Sequence, residues 1–372
     1  MDLVALSEVR WGYFRTRKQF LLSRFPGSWR VFFAQPPAAG ADDPWTPRRE
    51  GNVTYFTVPF LKPGTTSVLY NALAGFGAGR AAIESVAARQ LVNRLRSLGV
   101  ADEPVVLASN IYAVRALARL RRKLVFYDFN DSPFQFARTP AWAGAYWRRM
   151  LDEVDALFVV SEYYRSQLRA QTDKPLIPLG NGVEFDVFAT PRPEPPELAA
   201  LPRPRIGYVG LLSHFLDFDC LEALRQARRG GTLVLIGPGS PATAARVEAL
   251  AAREGVAVLG PRPYEQVPAY MQALDVGVIP FRATDPFVQG INPNKVYQYL
   301  AAGLPVVTTP VLDLEPRSPH LLYASTRTEW DEALARVLAA GEQREARRAL
   351  ARPYDWAVLA DRMVREIESR LS

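Results

Sequence analysis

Short apolar segments alternate with helical segments along most of this chain, and no other sequence feature constrains the fold as strongly. Runs rich in Val, Ile, Leu and aromatic residues predict strands at residues 2–6, 29–34, 53–57, 105–109, 123–128, 156–160, 205–209, 232–236, 256–259, 276–279 and 305–308. Helical segments lie between many of them. This alternation is typical of parallel sheets that are covered by helices on both faces. The sequence therefore predicts an α/β protein built from doubly wound, Rossmann-like sheets.

A proline-rich segment at residues 191–204 divides the chain near its middle. The length of 372 residues exceeds what one hydrophobic core usually holds. Proline runs favour extended backbone and exclude helix interiors, so we take this segment as an interdomain linker. We expect domains at 1–190 and 205–350, and a final helix over 351–372 that packs toward the first domain. Two such domains predict a central cleft lined by the carboxyl ends of their strands.

Composition narrows the environment of the protein. The single cysteine, Cys220, excludes an internal disulfide and fits a reducing, cytoplasmic compartment. No apolar run approaches the roughly 20 residues that span a bilayer, and the N-terminus lacks the pattern of a signal peptide.

The charge of the chain is unevenly distributed. Residues 1–150 contain 21 basic and 10 acidic residues, whereas the remainder contains 24 basic and 28 acidic residues. This imbalance predicts that the first domain meets an anionic membrane surface or a phosphorylated substrate. An arginine-rich composition without functional meaning is the alternative. Nucleic acid is not expected, because the sequence has no recognition-helix, zinc or RNA-binding signature.

Segment 292–307 predicts a loop, a helix and a buried strand in succession. Asn292 and Asn294 are suitable caps for the helix start, where unpaired N–H groups favour a phosphate. Lys295 adds a positive charge in the first turn. Gln298 lies on the same helix face and can bond a sugar hydroxyl. The alternative is a surface helix that happens to carry one lysine.

Other strand ends in the second half carry residues suited to a nucleotide. Gly210 and Gly237 each follow a predicted strand, where a glycine lets the backbone approach a phosphate. His214 follows the first of these glycines and is a candidate phosphate contact. Arg262 and Tyr264 follow the next strand and can frame a base. A tight turn alone also explains each glycine.

Several segments follow one another in a fixed order: 11–19, 125–131, 181–188, 207–210, 235–238, 259–264, 275–277 and 293–307. In this order they resemble GT-B glycosyltransferases, in particular bacterial family 4-like enzymes of the teichuronic-acid biosynthesis type. They are also similar to the xanthan glucuronosyltransferase. The likeness runs nearly from end to end and is stronger in the second half. It implies a GT-B fold, with two Rossmann-like domains that face a central cleft.

The resemblance also implies roles for individual residues. Lys295 would contact the diphosphate of a nucleotide-sugar donor, and Gln298 would contact its ribose. Many family members carry an E-x7-E motif here, but this chain has Gly290 and Gln298 at the two glutamate positions. A glutamine at the second position also occurs in the inverting glucuronosyltransferase type. Retaining and inverting outcomes therefore both stay open.

Asp131 is the candidate general base, because it follows a predicted strand at the end where an open-sheet site belongs. The resemblance supports this role, since Asp131 matches the proposed base of the inverting glucuronosyltransferase. Asp128 is the nearby alternative, and a helix cap would give Asp131 a purely structural role. We expect no metal ion, and we interpret Asp217 and Asp219 as part of a loop and a helix cap.

The resemblance places acceptor-binding residues in an early segment of the first domain, at Gly12, Arg17 and Gln19. We therefore predict a glycosyltransferase that moves a sugar from a nucleoside-diphosphate sugar, expected to be a UDP-sugar, to a glycan or lipid-linked acceptor. It would work without a cofactor in the cytoplasm, peripherally on the inner membrane face. A nucleotide-sugar epimerase and a non-catalytic binding protein are the alternatives.

Overall fold

The computed structural model describes residues 1–12, 15–37, 45–63, 67–134, 139–310 and 318–371. The chain forms two compact units. The first consists of Met1–Gly180 and Ala357–Ser372, and the second of Asn181–Trp356. Each unit is built around its own sheet and its own hydrophobic core.

The sheet of the first unit has the strand order β3-β4-β2-β1-β5-β6-β7-β8. These strands are β1 (Asp2–Leu6), β2 (Arg30–Gln35), β3 (Arg48–Glu50), β4 (Val53–Thr57), β5 (Val105–Ala108), β6 (Val125–Phe129), β7 (Ala156–Val159) and β8 (Leu176–Pro178). Neighbouring strands pair in parallel, apart from the antiparallel pair of β3 and β4. The strand order reverses direction between β1 and β5, and this reversal is where doubly wound sheets bind ligands.

Helices cover the parallel strands of the first unit. They are α1 (Arg17–Leu22), α2 (Val68–Gly75), α3 (Gly77–Ser97), α4 (Val114–Leu117), α5 (Ala143–Glu153) and α6 (Glu162–Arg169). The strands β1, β5, β6 and β7 are buried at every position, as expected for apolar runs covered on both faces.

The second unit has the strand order β11-β10-β9-β12-β13-β14, and its neighbouring strands pair in parallel. The strands are β9 (Arg205–Val209), β10 (Thr232–Ile236), β11 (Val256–Gly260), β12 (Val276–Ile279), β13 (Val306–Thr308) and β14 (Leu321–Tyr323). Counted within the unit, this is the 3-2-1-4-5-6 order of a Rossmann sheet, which reverses between β9 and β12. The predicted α/β class is therefore confirmed.

The helices of the second unit are α7 (Phe185–Ala189), α8 (Pro196–Ala199), α9 (Phe218–Gln226), α10 (Ala244–Ala251), α11 (Val267–Gln272), α12 (Pro286–Gly290), α13 (Lys295–Ala301), α14 (Arg327–Ala339) and α15 (Arg344–Ala351). Asp217 caps α9, since its Oδ1 accepts from the N–H groups of Asp219 and Cys220 at 2.9 and 3.1 Å. The interpretation of this acidic pair as a helix cap is thereby confirmed.

The proline-rich segment 191–204 belongs to the second unit, which differs from its predicted role as a linker. It includes α8, whose first residue is Pro196, a position where the missing N–H group costs nothing. Leu198 is fully buried, Glu197 pairs with Arg262 at 3.0 Å, and Glu194 pairs with Arg205. The two units divide earlier, between Gly180 and Asn181.

The chain closes with α16 (Trp356–Glu368), which belongs to the first unit from Ala357 onward. Trp29 donates from Nε1 to Glu368 at 3.2 Å, which connects the helix to the start of β2. The structure thus places this last helix against the first unit, beginning later than the predicted 351. Within the described ranges, no helix is long and apolar enough to cross a membrane.

Candidate functional site

The first element of the site is the gap where the second sheet reverses direction. Among the described residues, β12 pairs with β9 at Val276 and Gly277 alone, so the two strands separate toward their carboxyl ends. Tyr299 of α13 fills the gap. Its hydroxyl accepts from the Val209 N–H at 2.8 Å and donates to the Gly207 carbonyl at 3.2 Å. A Cβ atom on Gly277 would lie 2.4 Å from the Tyr299 ring, so this insertion requires a glycine.

Lys295 lies one turn before Tyr299 on α13 and therefore shares its helix face. A Cβ atom on Gly210, just after β9, would lie 2.2 Å from Lys295 Cε and 2.7 Å from Nζ. A Cβ atom on Gly237, just after β10, would lie 2.0 Å from the Gly210 carbonyl oxygen. Both glycines have positive φ angles, +152° and +145°. The structure thus brings together the predicted donor-binding residues Gly210, Gly237 and Lys295.

The electrostatics of Lys295 are unusual for a lysine. Its ammonium has neither a hydrogen bond nor an ion pair within the part of the chain that the structure describes, and it lies 5.8 Å from the centre of the Tyr208 ring. The residue keeps some exposed surface, but desolvation of the ammonium lowers the pKa of Lys295 to about 8. A desolvated cation without a counter-ion costs stability, so such groups concentrate at binding and catalytic sites. An anionic ligand would supply the missing partner.

Backbone hydrogen bonds join the loops around this lysine. Leu212 donates to the Pro238 carbonyl at 2.9 Å, which links the loops after β9 and β10. Arg282 donates from its backbone to the Phe215 carbonyl at 2.7 Å, which links the loops after β9 and β12. His214 lies on the first of these loops with an exposed side chain, its ring 4.5 Å from that of Phe215.

The asparagines before α13 have different contacts from those predicted. Asn294 occupies the N-cap position but makes no capping hydrogen bond with its side chain. Asn292 is buried, and its Oδ1 accepts from the Asn181 N–H at 2.9 Å and from the Tyr297 hydroxyl at 3.2 Å. Asn292 therefore fixes the loop to the start of the unit. Gln298, which follows Lys295 on the same face, is half-buried.

Arg262 is engaged elsewhere in the second unit, in place of the predicted nucleotide contact. Its guanidinium donates to the Tyr270 hydroxyl at 2.7 Å and to Glu197 at 3.0 Å. The bond to Tyr270, followed by that to Glu197, raises the pKa of Arg262. Tyr264 donates its hydroxyl to Glu184 at 2.9 Å, although 38% of its surface stays exposed. Arg262 thus stabilises the fold, while a face of Tyr264 remains accessible.

The first unit has a cavity of about 370 Å³ where its own sheet reverses direction. Residues after three neighbouring strands contribute to it, because the carboxyl ends of parallel strands meet at one edge. Glu8 follows β1, Ser109 follows β5 and Asp131 follows β6. The remaining wall includes Lys18, Lys62, Tyr112, Tyr127 and Asn130.

Asp131 is the candidate base that the structure places in this cavity. Its Oδ2 accepts from Asn130 Nδ2 at 2.7 Å. Burial raises the pKa of Asp131, and nearby Lys18 opposes this shift. Lys18 itself pairs with Glu8 at 2.7 Å. Burial disfavours its charge, but the combined attraction of Glu8, Asp128 and Asp131 outweighs this effect and raises the pKa of Lys18. The cavity therefore holds a carboxyl group with the raised pKa that suits a base.

Asp128 and Arg17 form a buried ion pair in the first unit. Arg17 Nε lies 3.0 and 3.1 Å from the two Asp128 carboxylate oxygens, and the side chains are 2% and 3% exposed. Removing one partner of such a pair leaves an uncompensated buried charge. Asp128 is therefore committed to the fold, and Arg17 has this structural role in place of the predicted acceptor contact.

The other two predicted acceptor residues differ in exposure. Gln19 is buried, accepts from the Thr16 N–H at 3.0 Å and donates to the Arg10 carbonyl at 3.0 Å. It thereby fixes the turn before α1, in place of the predicted acceptor contact. Gly12 is exposed, and a Cβ atom there would have no neighbour within 4 Å.

Sequence reasoning missed Tyr299 and the pair of Glu8 and Lys18. Glycines at 207 and 277, inside two apolar strands, were the signal for Tyr299, since a strand glycine often marks a close approach. Glu8 lies two residues after the first strand, just as Asp131 lies two residues after its own strand. A single acidic residue in a loop is too common, however, to indicate a site.

Comparisons with known proteins identify a family, a relative and solved structures that this chain resembles. The family described as glycosyl transferases group 1 matches residues 203–340, which contain Gly210, Gly237 and Lys295. The putative teichuronic acid biosynthesis glycosyltransferase TuaH of Bacillus subtilis (strain 168) is 26% identical over 227 residues. That match covers 57% of this chain and 56% of TuaH, so the chain aligns with little more than half of this relative's length.

Solved structures extend the likeness in fold to nearly the whole chain. Sucrose-phosphate synthase from Thermosynechococcus elongatus has a TM-score of 0.71 at 14% identity, covering 99% of this chain and 98% of that one. Anabaena HepE in complex with UDP has a TM-score of 0.66 at 16% identity, covering 99% and 100%. The fold is that of the GT-B glycosyltransferases.

Residues 203–340 match the family described as glycosyl transferases group 1, and the predicted resemblance to teichuronic-acid-type enzymes is confirmed. The comparisons give no support to the epimerase or non-catalytic alternatives.

Proposed function

We propose that this protein is a glycosyltransferase that moves a sugar from a nucleoside-diphosphate sugar to a hydroxyl group of a glycan or lipid-linked acceptor. One observation carries the proposal: Lys295 is a desolvated cation beside the glycines that end β9 and β10, in the region that matches glycosyl transferases group 1. A diphosphate supplies the negative charge that this ammonium lacks.

We propose that the donor binds in the second unit with its diphosphate against Lys295, Gly210 and Gly237. Because the two glycines have no side chains, their backbone can approach the phosphates closely. Gln298 follows Lys295 on the same face and is the proposed partner of a ribose hydroxyl. We also propose that the donor contacts His214, Asn294 and Tyr264. A UDP-sugar is the proposed donor, supported by the similarity in fold to HepE, whose structure contains UDP.

We propose that the acceptor hydroxyl occupies the cavity of the first unit, where Asp131 accepts its proton. The acceptor oxygen then forms a bond to the anomeric carbon as the bond from that carbon to the donor phosphate breaks. The nucleoside diphosphate leaves with the negative charge, which Lys295 stabilises. The residues supply both the base and the cation, so we propose that no metal ion takes part.

A turnover assay tests this proposal. The protein is incubated with a panel of nucleoside-diphosphate sugars, and release of the nucleoside diphosphate is measured with and without EDTA. We expect release from at least one UDP-sugar that persists in EDTA. Asp131→Asn is expected to lower turnover by roughly 10²–10⁴-fold without weakening UDP binding. Asp173→Asn, at an exposed aspartate, is the matched control.

The assay also has outcomes that contradict the proposal. If no nucleotide sugar is bound or cleaved, the protein does not act as a glycosyltransferase on these donors. If Asp131→Asn retains full turnover, Asp131 is not the base. The anomeric configuration of the product, measured by NMR, decides between retention and inversion.

We further propose that the enzyme works in the cytoplasm at the inner face of the plasma membrane. The reducing environment indicated by one cysteine and the excess of 21 basic over 10 acidic residues in 1–150 support this location.

A further inference from the structure

The most unusual surface of the first unit is the outer face of α2. Val68, Leu69, Leu73 and Phe76 are 83%, 73%, 48% and 71% exposed, and we call them the α2 surface. Of the residues of this helix, Ala74 alone is buried. A single exposed leucine is ordinary, but four large apolar side chains on successive turns form a patch of the kind that meets a partner or a membrane.

The charges around the α2 surface indicate the chemistry of its partner. Residues 63–79 contain no charged residue, and the first charges on either side are basic, at Lys62 and Arg80. An uncharged apolar patch is thus flanked in sequence by two basic residues, within a half of the chain that carries an excess of basic residues. Apolar side chains bordered by basic ones match an anionic bilayer, whose headgroups attract cations and whose acyl region accepts apolar groups.

One contact fixes α2 to the rim of the cavity that contains Asp131. Tyr70 on α2 accepts from the Lys62 N–H at 2.8 Å with its hydroxyl oxygen. Leu61 and Lys62 are part of the cavity wall. The first turn of α2 therefore adjoins the cavity wall.

A second contact fixes the other end of α2. Arg80 donates to the last two carbonyls of the helix at 2.9 and 3.0 Å, and its guanidinium lies 4.5 Å from the Trp142 ring centre. Trp142 in turn contacts the ring of Tyr112 at 5.7 Å, and Tyr112 lines the cavity. Both ends of α2 are thus connected to residues that line the cavity.

We propose that the α2 surface inserts into the headgroup region of an anionic bilayer, and that the acceptor entering the cavity is a lipid-linked glycan or lipid. The acceptor would keep its hydrocarbon chain in the bilayer beside α2 while its headgroup enters the cavity. The statement about the acceptor rests on the proposed function. The statement about bilayer binding does not.

Vesicle flotation tests the bilayer contact. Wild-type protein is mixed with phosphatidylcholine vesicles with and without phosphatidylglycerol. We expect binding to the anionic vesicles that weakens with added salt. The double substitution Leu69→Gln and Phe76→Gln is expected to lower this binding at least about tenfold, since each side chain loses its apolar burial. Val358→Gln, at another exposed apolar residue (44% exposed, on α16), is the matched control.

Two further readouts separate the outcomes. UDP affinity should be equal in all variants, which shows that each one is folded. The proposal is overturned if wild-type protein does not bind anionic vesicles, or if the double variant binds them as well as wild type. It is also overturned if the double substitution converts a dimer to a monomer without affecting vesicle binding, because the surface is then a contact between protein copies.

The acceptor class has its own test. Transfer to a lipid-linked glycan in anionic vesicles is compared with transfer to the same glycan without its lipid. We expect the double variant to lose at least about tenfold on the first acceptor and to keep its rate on the second. Equal loss on both contradicts the lipid-linked acceptor. Absence of transfer from any donor contradicts the proposed function, while flotation still decides the bilayer contact.

Discussion

Replacing Lys295 with methionine is expected to stabilise the protein while it weakens donor binding. Methionine keeps most of the side-chain length but carries no charge. Lys295 has no ion pair among the residues described and lies against Gly210 and the Tyr208 ring. If Lys295 is present to bind a ligand, its charge lowers the stability of the ligand-free protein. If Lys295 instead stabilises the fold, its removal must destabilise the protein.

The magnitude follows from the pKa of Lys295, which desolvation lowers from 10.5 to about 8. At about 1.4 kcal/mol for each pH unit, the desolvated charge costs about 3 kcal/mol at pH 7. Between pH 8 and 10.5 the unfolded chain binds the proton more tightly than the folded chain, so wild-type stability rises with pH. The advantage of the Lys295→Met variant should therefore decline to about 1.4 kcal/mol at pH 9.5 and vanish above 10.5.

The assay is urea unfolding, followed by tryptophan fluorescence at pH 7 and 9.5, on wild type, Lys295→Met and Lys123→Met. Lys123 is exposed, and its substitution should change the free energy of unfolding by less than about 0.5 kcal/mol. A Lys295→Met variant that is less stable than wild type at pH 7 refutes the reasoning. So does an advantage that fails to shrink as the pH rises.

Three further predictions concern the neighbours of this lysine and the base. Burial raises the pKa of Asp131, so turnover should fall on acidification at a higher pH than an ordinary aspartate would give, and Asp131→Asn should remove this limb of the pH profile. Tyr299→Phe loses two hydrogen bonds, each worth about 1 kcal/mol, and therefore holds Lys295 less firmly in position. UDP binding, measured by calorimetry, should weaken roughly tenfold, and unchanged binding would contradict this prediction. Gly210→Ala should abolish UDP binding, since its Cβ atom would displace Lys295, whereas Gly239→Ala, with no neighbour within 4 Å, should bind normally.

The central strands were predictable because their whole length is buried. The predicted bounds 2–6, 205–209, 232–236 and 276–279 agree with the structure at both ends, since a short apolar run between turn signals is typical of a buried strand. The edge strand β3 was not predicted, because Arg48, Arg49 and Glu50 are exposed and show no apolar pattern. Composition also made 191–204 resemble a linker, whereas ion pairs from Glu197 to Arg262 and from Arg203 to Asp275 attach it to the second unit.

The parts of the candidate site that backbone geometry defines could be predicted from the sequence. The parts that depend on which side chains form ion pairs and hydrogen bonds could not. Gly210, Gly237 and Lys295 follow from strand ends and from one helix, which local sequence indicates. Arg17 and Arg262 were predicted as ligand contacts, whereas the structure pairs each guanidinium with a carboxylate far away in the chain. No local pattern reveals such a pairing.

Calorimetric titration of UDP tests the central claim most directly, which is that Lys295 binds the donor diphosphate. Wild type and Lys123→Met should bind UDP with equal affinity, and Lys295→Met should bind it at least about thirtyfold more weakly, since a charge-assisted hydrogen bond is worth about 2 kcal/mol or more. UDP binding that is equal in wild type and Lys295→Met, or that is absent from wild type, would contradict the account.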